Sequence, residues 1–280
     1  MKVGDWVSSD NGGLNPDVIF LTTPHGIELD DSFAVYLNSR GAGFAAIGQD
    51  LHNASKPPHD VPIGGKNGSI ALAPNIAREL TNVLQQGKAH NVQGIKSFAD
   101  SEPERLRWGE VVPLLLTVPA FGTKSEEEEI KASQQQQQQQ PLPSVIIWSM
   151  PLRRYNHSQT MVQELLDTGA AVGQYLETLP ERILVLVSSD LAHTHQASGP
   201  YGYSNASEPF DLAVGRWIQD PANDADDLLV MARDLEDRAL SCGFTGLVML
   251  HGCLFANGTN TRWTSQLLAN EHPTYYGMAV

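Results

Sequence analysis

The chain has 280 residues, which is enough to bury a large core in one α/β domain. Its 18 basic and 32 acidic side chains give a net charge of -14, and the absence of any basic run argues against a nucleic-acid or anionic-membrane surface. No stretch approaches the ~20 apolar residues of a membrane span or the apolar core of a signal peptide, so we expect a cytoplasmic protein.

Hydrophobic patterning predicts alternating strands and helices along the chain. Strands are predicted at residues 17–23, 32–37, 43–48, 111–118, 145–148, 183–187 and 275–280. Helices are predicted at residues 74–86, 158–179, 210–219, 225–240 and 246–255. This order predicts an α/β single domain over residues 1–280, with a mixed, partly parallel central sheet and helices on both faces. The run ILVLV at 183–187 lacks polar alternation, which predicts a central strand covered on both faces.

A low-complexity tract interrupts the pattern at about residues 124–143. It passes from the charged segment KSEEEEIK into polyglutamine, and such a composition cannot bury enough apolar surface to offset the entropy of ordering. We interpret it as a disordered insertion in a surface loop, with an interaction or aggregation element as the alternative.

The two cysteines, Cys242 and Cys253, lie at one end of the chain in a segment predicted to be helical. Eleven residues at ~1.5 Å per residue separate them by about 16 Å, which is too far for a disulfide. Two reduced thiols agree with a cytoplasmic location.

Histidines follow two of the predicted strands. His25 comes directly after residues 17–23, and Asp190 and His193 follow residues 183–187. Loops at the carboxyl ends of strands in α/β sheets form ligand-binding crevices, so we expect these side chains to face one crevice. Imidazole is both a common metal ligand and the usual acid–base group near neutral pH.

Other candidates are weaker on the residues alone. His195 is either a second catalytic histidine or a structural one, and Cys242, just before Gly243, is either core packing or a thiolate ligand. His251 lies in an apolar helix and is interpreted as a core histidine. His52 and His59 lie in an irregular segment. The chain has no signature of dinucleotide binding, P-loop phosphoryl transfer or α/β-hydrolase chemistry.

Five segments together carry a family resemblance. NPDVIFLTTPHG, WGEVVPLLL, VLVSSDLAHTHQASGPYGY, EPFDLA and SCGFTGLVMLHGCL follow one another in this order. From about Asn15 onward the chain thereby resembles class III extradiol ring-cleavage dioxygenases of the protocatechuate dioxygenase β-subunit type and the related Memo family. The Ser-Asp-Leu-x-His stretch followed by PYGY is the most specific part.

The resemblance implies a non-haem Fe(II) site that cleaves a catechol-type ring with O₂. Two histidines and a carboxylate hold the metal in such enzymes, and another histidine moves protons. His25 matches a metal-ligand histidine, and His193 matches the acid–base histidine. Cys242 matches the cysteine that Memo-like proteins use as a metal ligand. The remaining site candidates are His195 as a second catalytic residue and, in the pocket or behind the ligands, Asp190, Tyr201, Tyr203 and Trp108.

The chain also departs from the family pattern. A first metal histidine precedes the strand that carries the His25 equivalent in that family, whereas here only a polar segment precedes Asp17, so a truncated chain and a lost ligand both stay open. Trp108 occupies a position where many relatives have a histidine. The carboxylate metal ligand of the dioxygenases corresponds to a position near Ser241 in this chain. The alternatives are a non-catalytic Memo-like protein that binds metal or a partner, and a zinc hydrolase.

The expected cofactor is therefore Fe(II), with Zn(II) second. The expected partners are a small aromatic, catechol-like substrate and O₂, with no nucleic acid and no membrane, and homo-oligomerisation is left open.

Overall fold

The computed structural model describes residues 14–47, 59–64, 68–87, 91–99, 102–118, 121–122, 141–256 and 263–280. Its strands are β1 (Val18–Thr23), β2 (Phe33–Tyr36), β3 (Arg40–Ala42), β4 (Phe44–Ile47), β5 (His59–Pro62), β6 (Ile70–Ala71), β7 (Val92–Ile95), β8 (Glu104–Arg105), β9 (Ser144–Ser149), β10 (Ile183–Val187), β11 (Asn270–Glu271) and β12 (Met278–Ala279). Its α-helices are α1 (Pro74–Gln86), α2 (Trp108–Thr117), α3 (Arg154–His157), α4 (Val162–Leu176), α5 (Ser207–Gln219), α6 (Arg233–Ala239) and α7 (Phe244–Leu254).

A mixed five-stranded sheet in the order β10-β1-β9-β2-β7 forms the centre of the fold. β1 runs parallel to both β10 and β9, whereas β2 is antiparallel to β9 and parallel to β7. Alternate residues of β1 enter separate hydrophobic clusters: Val18 and Phe20 enter one, and Ile19 and Leu21 enter the other. The sheet is therefore covered on both faces, and the α/β fold predicted from the sequence is confirmed.

The segment predicted as a strand at residues 111–118 is helical instead, as most of α2. Glu110 accepts the backbone N–H of Arg107 at 2.8 Å, which caps the helix start. Pro113 has no N–H to donate to the Gly109 carbonyl one turn back, and Thr23 Oγ1 donates to that carbonyl at 3.1 Å. A short apolar run does not distinguish a buried strand from a buried helix, so the strand prediction was wrong.

β10 is an edge strand and not the central strand that its apolar run predicted. It pairs with β1 alone in the sheet order, and all five of its residues are half-buried. Leu184 and Leu186 pack on one face and Ile183, Val185 and Val187 on the other. Because both faces of β10 are covered, its sequence lacks polar alternation. This pattern does not indicate whether a strand lies in the middle or at the edge of a sheet.

Helices α4 and α7 pack unusually closely because glycines lie at their contact. A Cβ at Gly169 would collide with the Met249 carbonyl oxygen, and one at Gly252 with the Leu166 carbonyl oxygen. This packing fixes the position of α7, which begins just after Cys242. Cys242 and Cys253 are both free thiols, as predicted.

The carboxyl-terminal segment, residues 263–280, crosses the loop after β10. The Gly277 carbonyl accepts the Leu191 N–H at 2.8 Å, and the Gly277 N–H donates to the Ala192 carbonyl at 2.8 Å. The strand predicted at 275–280 is limited to β12, which pairs antiparallel with β11 and not with the central sheet.

The low-complexity tract predicted at about 124–143 lies, up to residue 140, outside the described residues, as does His52. Among the ranges that are described, no helix combines the length and the apolar character needed to cross a membrane.

Candidate metal centre at the carboxyl edge of the sheet

Three neighbouring parallel strands end at the same edge of the sheet. Thr22 of β1 lies opposite Val187 of β10, and Thr23 lies opposite Ser149 of β9. The chain continues from these ends into the segments that carry His25, Asp190 and, at the start of α3, Arg154. Parallel strand direction alone therefore brings the loops of three distant sequence segments to one crevice.

Asp190, His193 and Cys242 form a compact group of potential metal ligands in this crevice. A carboxylate oxygen of Asp190, a ring nitrogen of His193 and Sγ of Cys242 all lie within 4.8 Å of one another. Nε2 of His193 is 3.4 Å from Oδ2 of Asp190, and their side chains are 14% and 30% exposed. The three donors are thus both close together and partly accessible.

Backbone contacts hold the Cys242 loop against Asp190. The Asp190 N–H donates to Cys242 Sγ at 3.3 Å, while its carbonyl accepts Ser241 Oγ–H at 2.8 Å and the Gly243 N–H at 3.1 Å. Gly243 has no room for a Cβ, which would collide with the Ser189 side chain. Leu240, at the end of α6, adopts a left-handed conformation with φ of 57°. The turn that places Cys242 beside Asp190 therefore depends on a residue without a side chain at Gly243 and on a left-handed backbone at Leu240.

The Cys242 thiol is protonated at neutral pH in the metal-free protein. Burial raises its pKa to about 12, and the nearby Asp190 carboxylate adds to the rise. A metal ion bound here would have to displace this proton.

His25 lies beside this group but is not one of its three potential ligands. Its backbone N–H donates to Thr23 Oγ1 at 3.1 Å, and its ring lies 4.5 Å, centroid to centroid, from the indole of Trp108. Burial lowers its pKa, as does the positive charge of Arg154, whereas the negative charges of Asp190 and Glu28 oppose that shift. Its imidazole is accordingly neutral at pH 7 and can offer a lone pair.

A buried polar cluster supports the His25 loop from behind. The Tyr36 hydroxyl donates to Glu110 Oε1 at 2.7 Å and accepts the Ile27 N–H at 2.7 Å. Arg107 Nη1 donates to the Gly26 carbonyl at 2.8 Å. Burial raises the pKa of Glu110 to about 7 although hydrogen bonds from Tyr36 and from the Arg107 and Glu110 backbone favour its charged form. The start of α2 thus holds the loop in place.

Arg154 is a site residue that the sequence did not reveal. It is 4% exposed, its Nη2 donates to Glu28 at 2.8 Å, and its charge acts on the pKa values of His25 and Cys242. Buried arginines are rare, and nothing in the local sequence distinguishes the buried Arg154 from its neighbour Arg153.

Three tyrosine rings lie close to the imidazole of His193. The ring of Tyr201 stacks at 5.5 Å, and the rings of Tyr275 and Tyr276 lie at 6.2 and 6.4 Å. Tyr201 was a predicted pocket residue, but Tyr275 and Tyr276 were missed because they come from the carboxyl-terminal segment. Tyr203 is exposed and pairs through its backbone with His195.

His195 belongs to a separate cluster. Its Nε2 lies 2.8 Å from Oδ2 of the buried Asp211, and its ring stacks on His272 at 4.3 Å. His251 accepts the Trp217 indole N–H at 3.0 Å, which confirms it as a core histidine. The backbone of His59 lies in β5, and its side chain lies outside the described part of the structure.

Comparisons with known proteins leave the chain unassigned to a family. No family model matches it. Protein CA_C1420 of Clostridium acetobutylicum is 31% identical over 91 residues, which are 32% of this chain and 19% of that protein. The match therefore spans about a fifth of its relative. The crystal structure of uncharacterized protein JW3007 from Escherichia coli K12 is 12% identical, with a TM-score of 0.47 over 99% of this chain and 90% of that one.

Proposed function

We propose that the crevice binds a divalent metal ion and that the protein is a non-haem dioxygenase that opens a catechol-type ring by extradiol cleavage. The observation that supports the metal site is the convergence of Asp190, His193 and Cys242 within 4.8 Å. The proposed reaction rests on the resemblance carried by the segments around His25 and His193.

The donor set fits a first-row transition metal. Carboxylate, imidazole and thiolate are all ligands of Fe(II) and Zn(II), and His25 adds a neutral imidazole at the same edge. Fe(II) is the first choice because activation of O₂ requires a redox metal, whereas the cysteine also suits Zn(II). Such a metal, held by these residues, would supply the redox chemistry that lets a catecholate react with O₂.

The chain's own residues would bind and deprotonate the substrate. His193 is the proposed acid–base group, since imidazole can take a phenolic proton near neutral pH, where a carboxylate is too weak a base. Asp190, 3.4 Å away, can orient the ring of His193. The tyrosines beside His193 offer an aromatic surface against which a planar ring can pack.

Two roles compete for His193, because the geometry also makes it a potential ligand. Metal content separates them. If His193 is the base, His193→Gln retains the metal and loses oxygen uptake; if it is a ligand, the variant loses both.

The metal site is tested by anaerobic reconstitution with Fe(II) or Zn(II) followed by elemental analysis. We expect Cys242→Ser, Asp190→Asn and His25→Ala each to lower metal content or affinity. Cys253→Ser is the matched control, because Cys253 is also a free cysteine but lies on α7, away from Asp190 and His193. Equal metal content in all variants would place the metal elsewhere.

The reaction is tested by oxygen uptake of the Fe(II)-loaded protein across a panel of catechols. General acid–base groups contribute about 10²–10⁴-fold in rate, so His193→Gln should reduce uptake by that order. No uptake by the unmodified, metal-loaded protein would refute the dioxygenase proposal.

A non-catalytic, Memo-like metal-binding protein is the second candidate. The observation that favours it is Trp108, whose ring contacts that of His25 at the position where many members of the resembled family carry a histidine. Metal binding without oxygen uptake would support this candidate. For either function we propose a cytoplasmic location, which the two free thiols support.

A further inference from the structure

A groove of about 1050 Å³ lies on the α2 side of His25 and is not used by the proposed chemistry. Apolar side chains from β3, β4, the first residue of α2, the segment before it and the His25 loop form most of its surface. They are Ile27, Ala42, Phe44, Ala45, Leu106 and Trp108.

Two large aromatic side chains are unusually exposed in this groove. Phe44 is 57% exposed and Trp108 is 54% exposed. Contiguous exposed apolar surface in a concave region is typical of ligand sites, which are mostly apolar with a few polar groups.

The groove adjoins the crevice at Trp108 and Ile27. Trp108 both lines the groove and contacts the His25 ring in a tilted arrangement, with a centroid distance of 4.5 Å. Ile27 follows His25 by two residues, and its backbone is held by the Tyr36 hydroxyl at 2.7 Å. Trp108 is therefore the residue that the His25 site and the groove share.

The charged residues at the rim do not select a charged ligand. Glu104 and Arg105 carry opposite charges, and the Arg107 guanidinium donates to the Gly26 carbonyl at 2.8 Å. Apolar contact is the main interaction that the groove offers, which favours a neutral, apolar occupant.

We propose that the groove binds a neutral apolar substituent, of phenyl size or larger, on the catechol-type ring whose polar end lies at His25 and His193. The identity of the polar end rests on the proposed function. Phe44 and Trp108 are the specificity-determining residues in this arrangement, and unsubstituted catechol leaves the groove empty.

The test is calorimetric titration of the Zn(II)-loaded protein, which binds without turnover, with catechol and with 4-phenylcatechol. The phenyl group should lower Kd roughly 10-fold or more, because it transfers apolar surface from water to the groove. Phe44→Ala should reduce that ratio several-fold and leave Kd for catechol unchanged. Phe98→Ala is the matched control, because Phe98 is also exposed but lies outside the groove.

A second variant fills the groove and guards against indirect effects of removing Phe44. Ala42→Phe should bring the ratio of the two Kd values close to one, with circular dichroism showing an unchanged fold. Equal affinity for both compounds in the unmodified protein, no binding of either, or equal effects of Phe44→Ala and Phe98→Ala would each overturn the proposal. Failure of the proposed function differs from all of these: the ratio persists, but the Fe(II)-loaded protein takes up no oxygen with either compound.

Discussion

Glu110 is completely buried beneath the His25 loop, where it accepts hydrogen bonds from Tyr36 and the Arg107 backbone. Its pKa of about 7 lies above the ordinary value of 4.5 because burial disfavours the charged carboxylate. The folded protein therefore holds the Glu110 proton more tightly than the unfolded chain does. Stability from this group is greatest below pH 4.5, falls as the pH rises towards 7, and is constant above that.

Glu110→Gln should remove this pH dependence. Between pH 5 and 8 the unmodified protein should lose ~2–3 kcal/mol more unfolding free energy than the variant, because only the carboxyl ionises. Urea unfolding at several pH values measures the difference. The exposed Glu102→Gln serves as the control and should retain the slope of the unmodified protein. Parallel pH profiles for Glu110→Gln and the unmodified protein would contradict the assignment.

Leu240 provides a second prediction for a single residue, since its left-handed φ of 57° is unfavourable for a residue with a Cβ. Leu240→Gly and Leu240→Ala remove nearly the same side chain, but only glycine relieves the backbone strain. We expect the glycine variant to be more stable than the alanine variant by ~1 kcal/mol, as measured by thermal or urea unfolding. Equal stabilities would show that the turn is not strained.

Helix α7 determines where Cys242 lies, because the cysteine immediately precedes its first turn. The helix is positioned by close contact with α4 through Gly169 and Gly252. Displacement of one helix from the other would thus move a proposed metal ligand relative to Asp190.

Gly169→Ala should separate these helices. The new Cβ would collide with the Met249 carbonyl oxygen, which is backbone and cannot rotate away. We expect a loss of ~2–4 kcal/mol in unfolding free energy and weaker metal binding. Asp167→Ala, on an exposed position of the same helix, is the control and should change stability by less than ~0.5 kcal/mol. An unchanged melting temperature in Gly169→Ala would argue against the close packing.

At the scale of the whole molecule, the composition of the low-complexity tract predicts that this segment does not contribute to the stability of the domain. Deletion of residues 124–140 should leave the melting temperature nearly unchanged, because polar low-complexity sequence gains too little burial to offset ordering. Differential scanning calorimetry of the deleted and full chains measures this. A decrease of several degrees would mean that the tract packs against the domain.

Local sequence patterns were sufficient to predict features that depend on neighbouring residues in the chain. Apolar runs identified β1, β2, β9 and β10, since strands covered on both faces are continuously apolar. His25 and His193 could be placed at the same edge because parallel strands carry their loops at one end. The helical spacing of Cys242 and Cys253 was enough to exclude a disulfide.

Long-range packing determined the rest. Residues 111–117 are helical because Arg107, Glu110 and Thr23 satisfy hydrogen-bonding groups at the start of α2, contacts that an apolar run does not encode. The burial of Arg154, the approach of Tyr275 and Tyr276 to His193, and the convergence of Asp190, His193 and Cys242 all join segments far apart in the chain. Periodicity reports which side of an element is buried, whereas the partner on that side is chosen only when the whole chain has packed.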